Sequence, residues 1–140
     1  MQRLISPRFK NIGDELIENM DELIYLRASK AKIAYLVSDV AVKENKTKYK
    51  LADTELIPDK YKWGMDEDFA ITVFEPNVSS LSQKQLEILI FQQLLKCGVE
   101  TDPATGNEKY HIVEPDVCDF KVIINRYGTD WVEQPKLDLD

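Results

Sequence analysis

The sequence predicts an α+β domain in which a small mixed sheet packs against one central helix. Three observations predict it. Residues 83–97 place Leu86, Ile88, Leu89, Ile90, Phe91, Leu94 and Leu95 on most sides of a helix, and a helix apolar all round is buried rather than superficial. The runs 31–37 and 69–74 are β-branched and aromatic, as strands are. A chain of 140 residues, 44% hydrophobic and 31% charged, suits one core better than two. The expected organisation is a single domain over 1–140, with a loose acidic tail from about residue 129.

Taken in order, Ile12, Leu16, Ile17, Met20, Leu23 and Ile24 recur at helical spacing, which predicts one amphipathic helix over 9–27, Gly13 included. Its outer face is acidic. Residues 31–37 follow as a strand. The Lys-rich stretch 43–62 is weakly patterned, with Tyr49 and Leu51 allowing a short edge strand before a turn at Pro58-Asp59-Lys60; lysines on an edge discourage sheet association. Phe69 to Phe74 is the clearest strand, stopped by Pro76-Asn77. Ser82 with Gln85 three residues on forms a capping box, and Gly98 is expected as a left-handed C-terminal stop, which together bound a helix over 83–97. A turn at 102–107 leads to a strand at 110–113, expected in the same sheet as 31–37 and 69–74. Asp116 caps a last helix, 116–127, with Val117, Phe120, Ile123, Ile124 and Tyr127 facing inward and Gly128 closing it.

The formal net charge of −7 disfavours direct binding to nucleic acid, whose phosphates reward clustered Lys and Arg. A basic protein surface is the better partner for it. The longest apolar run, 86–95, is interrupted by Glu87, Gln92 and Gln93 and is far short of the ~20 residues of a membrane span. No apolar stretch follows Arg3 and Arg8 as in a secretory signal, so the expectation is a cytoplasmic protein without membrane contact. Cys97 and Cys118 suit reduced thiols in a helical core, and two cysteines are too few for a cysteine-only metal site. Glycine-rich phosphate loops and a Gly-x-Ser-x-Gly turn are absent from the sequence.

Gln92, Gln93 and Lys96 are the polar residues stranded in the apolar helix, with 92 and 96 on one face. Their spacing is that of His-Glu-x-x-His, where two imidazoles bind zinc and a carboxylate activates water, but amides are weak zinc ligands and an ammonium repels the dication. Around them stand Phe74-Glu75-Pro76-Asn77, then Leu81-Ser82-Gln83-Lys84-Gln85-Leu86-Glu87-Ile88-Leu89-Ile90-Phe91-Gln92-Gln93-Leu94-Leu95-Lys96, and later Tyr110-His111-Ile112-Val113-Glu114-Pro115-Asp116-Val117-Cys118-Asp119-Phe120. This framework, continuing through Arg126-Tyr127-Gly128 and Trp131, resembles the phage metallopeptidase family of phages and prophages, whose central helix reads Phe-His-Glu-Leu-Leu-His. The resemblance implies a minimal zincin-like fold. It also implies that Gln92 and Lys96 stand for two histidine ligands, Gln93 for the catalytic glutamate and Pro115 for a third histidine ligand.

On that footing the chain is expected to be a catalytically inactive relative that needs no metal or other cofactor. It would act as a phage or prophage accessory protein in the bacterial cytoplasm by binding a protein, and a basic nucleic-acid-binding host protein such as a defence nuclease is the specific guess, by analogy with anti-CRISPR proteins. One alternative is a hydrolase with a rearranged site built from His111, Asp116 and Asp119; another is an antirepressor-type regulator. The blander expectations are that Gln92, Gln93 and Lys96 fill a former cavity and hydrogen-bond locally, that His111 is an ordinary side chain, and that Asp116 and Asp119 make a helix cap. Lys96 is also expected to pair with Glu114, Asp116 or Asp119, a pair replacing the metal cross-link, unless its ammonium reaches water.

Overall fold

The computed structural model describes residues 3–42, 49–61, 64 and 66–113. The last helix expected at 116–127 and the acidic tail lie outside the described residues. A short strand β1 (Arg3–Ile5) leads into α1 (Pro7–Asn19), a 3-10 turn (Asp21–Leu23) and α2 (Ile24–Ala28). Strands β2 (Ile33–Ser38), β3 (Ala52–Leu56) and β4 (Phe69–Phe74) follow, with a 3-10 turn at Asp59–Tyr61 where Pro58-Asp59-Lys60 was expected to turn. Then come α3 (Glu75–Val78), α4 (Gln83–Leu95), β5 (Cys97–Thr101) and β6 (Glu108–Ile112). The result is an α+β fold with a mixed four-stranded sheet in the order β1-β2-β4-β3 and a separate β5-β6 pair.

Strand β4 runs parallel to β2, with Tyr35 opposite Ile71, and antiparallel to β3, with Thr54 opposite Ile71. It is buried along its whole length. Strands alternate their faces, so Phe69, Ile71 and Val73 join Tyr35 on the side that packs with α1 and α4. Helix α4 buries residues around most of its circumference, from Leu86 and Ile88 to Phe91 and Leu94, as its composition requires. Its start is the expected capping box: the Ser82 hydroxyl accepts from Gln85 N at 3.2 Å and Gln85 Oε1 accepts from Ser82 N at 3.0 Å.

Five expectations need correction. The helix expected over 9–27 begins earlier, at Pro7, where Ser6 accepts from Phe9 N and proline occupies the first turn. It breaks at Met20, which is extended; Arg27 donates through Nε to Ile17 O at 2.9 Å and so serves a carbonyl at the end of α1. The edge strand lies at 52–56 rather than at Tyr49 and Leu51, with Ala52 and Thr54 turned inward. Helix α4 stops at Leu95, and Gly98 is not its left-handed stop: it lies in β5, and the one positive-φ glycine among the described residues is Gly106 in the hairpin turn. Cys97 accordingly opens a strand rather than sitting in a helix. Finally, the strand expected at 110–113 is β6, paired with β5 and outside the main sheet.

Candidate functional site

The last turns of α4 bring Gln92, Gln93 and Lys96 to the end of the helix nearest the β5-β6 hairpin. Gln93 is 2% exposed and turns toward the sheet edge, where its Oε1 accepts from the Thr54 hydroxyl at 2.7 Å. The same hydroxyl lies 3.4 Å from the Gln93 carbonyl. Position 93 is therefore tied to β3. Gln92 and Lys96, four residues apart, share another flank and are half-buried.

Lys96 is the C-cap of α4, and its carbonyl accepts from Val113 N at 2.8 Å. That bond returns the chain after β6 to the end of α4, so Glu114 follows a residue anchored at Lys96. Glu114, Pro115, Asp116 and Asp119 themselves lie outside the described residues, as does Cys118. The convergence of position 115 on the helix and the ion pair of Lys96 with an acid of 114–119 are thus not described.

Three further residues build this corner, and two of them, Thr54 and Tyr25, the sequence did not single out. Thr54 is one, and the inward period of 52 and 54 in an edge strand was its available signal. Tyr25 is another: its hydroxyl donates to Cys97 O at 2.7 Å and lies 3.3 Å from Leu94 O, serving the C-terminal end of α4. Burial raises the Tyr25 phenol well above its usual range, so it stays a donor. Gly98 is the third. A Cβ there would fall 2.4 Å from Nε2 of His111, so the glycine leaves room for the imidazole packed across the hairpin.

His111 is exposed on β6, opposite Gly98. Cys97 is fully buried, and burial pushes its thiol up to about 12 against a smaller opposing effect of the Lys96 charge, so it is no thiolate nucleophile near neutrality. Among the described residues no group of three His, Cys, Asp or Glu side chains is arranged to hold a metal ion. The donor chemistry of the helix agrees poorly with zinc: one amide already engaged by Thr54, one further amide and an ammonium. These residues do not fit a zinc ion. Two clefts open on other faces, beside Ser6 and Phe9 and between α1 and α4, and neither is lined by Gln92, Gln93 or Lys96. Among the described residues no helix is long and apolar enough to cross a membrane.

A family model described as "Putative phage metallopeptidase" matches residues 1–137. No curated protein and no solved structure matches the chain.

Proposed function

Since the chain belongs to the phage metallopeptidase family over residues 1–137, we propose that it keeps the family's framework without peptide hydrolysis and acts by binding another protein. Gln93 carries this reading. A general base must hold a proton-accepting group within reach of a reactive water. At the position the motif assigns to that base stands a neutral amide, 2% exposed, whose oxygen is already occupied by the Thr54 hydroxyl at 2.7 Å. An amide there stabilises the junction of α4 with β3 and has no basicity to offer water.

The ligand positions 92 and 96 carry an amide and an ammonium, so neither supplies the imidazole nitrogen that zinc prefers. Loss at several positions of one site differs from drift at a single one, because each change alone already removes the chemistry. With hydrolysis gone, what the chain can offer a partner is its surface, and a net charge of −7 favours a basic one. A basic nucleic-acid-binding protein of the host cytoplasm fits that charge.

Elemental analysis and a peptidase assay on protein purified without chelator test the reading. Less than about a tenth of a zinc per chain and no cleavage are expected; about one zinc per chain, lost together with an activity, would overturn it and favour the hydrolase with a rearranged site. The quadruple variant Gln92→His, Gln93→Glu, Lys96→His, Pro115→His is expected to gain zinc. If it folds and binds none, the framework has diverged along with the ligands.

A further inference from the structure

In α1, Ile12, Leu16 and Asn19 fall along one line with Glu15 beside it; in α4, Gln83 and Glu87 are one turn apart. Where the helices meet, these six residues line a groove of about 250 Å³. Ile12 is buried and Leu16 half-buried, giving the groove an apolar floor, while Glu15 on one wall is exposed and Glu87 on the other is half-buried. Glu87 is held from one end: Arg8 Nη2 donates to Gln83 Oε1 at 3.2 Å, and Gln83 Nε2 donates to Glu87 Oε2 at 3.5 Å. No ion pair found among the described residues includes Glu15 or Glu87.

We propose that this groove receives a lysine or arginine side chain from a basic segment of a partner protein. Its cationic head lies between Glu15 and Glu87 and its methylenes lie on Ile12 and Leu16. Charge sets the sign of the occupant, since two carboxylates without a cation face one half-buried space. The floor sets its kind. A hydrated divalent ion seeks six or more oxygens and gains nothing from a floor of Ile12 and Leu16. A long cationic side chain has an apolar stem under a charged tip and matches both parts of the groove. Glu18, the next acid along α1, is exposed and extends the field toward neighbouring basic residues of the same segment. The groove lies on a different flank of α4 from Gln92 and Lys96, so this site is separate from the former metal corner; the inference rests on the protein-binding reading only for the existence of a partner.

Titration of the full chain with a fluorescein-labelled peptide of alternating lysine and alanine, read by anisotropy, tests it. The double variant Glu15→Gln, Glu87→Gln is expected to bind about tenfold more weakly than wild type. A control losing the same charge elsewhere, Glu67→Gln with Glu100→Gln, is expected to change affinity less than about twofold. Methyl signals of Ile12 and Leu16 should shift during the wild-type titration, and thermal unfolding of both variants checks that they are folded. No binding, equal weakening in the two variants, or unmoved methyls would overturn the groove. Zinc binding or peptidase activity would overturn the inactive-relative reading instead and leave this titration unaffected, so the two failures are distinguishable.

Discussion

At Gly13 an added Cβ would fall 2.3 Å from the Tyr35 hydroxyl, and at Gly98 it would fall 2.4 Å from His111 Nε2. The contacts are alike in distance and differ in what can yield. Tyr35 is 4% exposed, packed between β2 and α1, and its hydroxyl finds no hydrogen-bond partner, so the ring has nowhere to retreat. His111 is exposed and can swing outward. Gly13→Ala should therefore lower stability in urea by about 1–3 kcal/mol although alanine is the better helix former, whereas Gly98→Ala should cost about 1 kcal/mol or less. Gln93 offers a second residue-scale prediction, because a carboxylate in its place would be buried beside the Thr54 hydroxyl and its pKa would rise. A raised folded-state pKa gives stability that is complete below the unfolded value, about 4.3 for glutamate, and is lost as pH climbs through the folded value. Gln93→Glu is thus expected to be nearer wild type in stability at pH 4 than at pH 7, and equal deficits at both would show that the side chain escapes to water. Thr54→Val, which leaves the Gln93 oxygen without this donor, should cost about 1–3 kcal/mol.

Helix α4 is served at both ends, by the Ser82 and Gln85 box at its start and by Tyr25 at its finish. Ser82→Ala should remove about 1 kcal/mol, measurable as a lower urea midpoint with an unchanged slope. This helix and β4 were legible from sequence because their signals are local: a capping pair three residues apart, a dense apolar periodicity, a β-branched run ended by Pro76. The break at Met20 was not, since no glycine or proline marks it and its carbonyls are served by Arg27 from the following helix. Gly98 misled for a similar reason: a glycine after an apolar helix reads as a cap, and only the pairing of β5 with β6 reveals that it makes room for a ring across the hairpin. At the site, polarity and spacing within an apolar helix singled out Gln92, Gln93 and Lys96, and their side-chain types, amide and ammonium, are not those zinc prefers. The bond that engages Gln93 could not be read, because Thr54 is brought to it by the sheet and not by the helix.

Across the molecule, the buried acids of one class point the same way. The Cys97 thiol is raised from 9.0 to about 12, and burial raises the Tyr25 and Tyr35 phenols as well. Below the unfolded-state values all three are protonated in either state and contribute fully. Above pH 9 the unfolded chain releases protons that the native one keeps, so stability should fall with rising pH, by up to about 1.4 kcal/mol per unit for each group in its window. Urea midpoints flat between pH 7 and 8.5 and declining from pH 9 to 11 are expected, and in a Cys118→Ser variant the remaining thiol should resist a disulfide reagent until denaturant is added. The strand order β1-β2-β4-β3 has a further consequence, for the time the chain takes to fold. Strand β4 meets β3 across a modest connection, but its parallel partner β2 lies upstream of the whole β3 segment. Closing that longer loop spends chain entropy before Ile71 gains Tyr35 beside it. Helices α1 and α4 form from neighbouring residues and do not wait for it, so the rate-limiting event is expected to be the docking of β2 on β4, at a speed between those of helical bundles and of β-sandwiches.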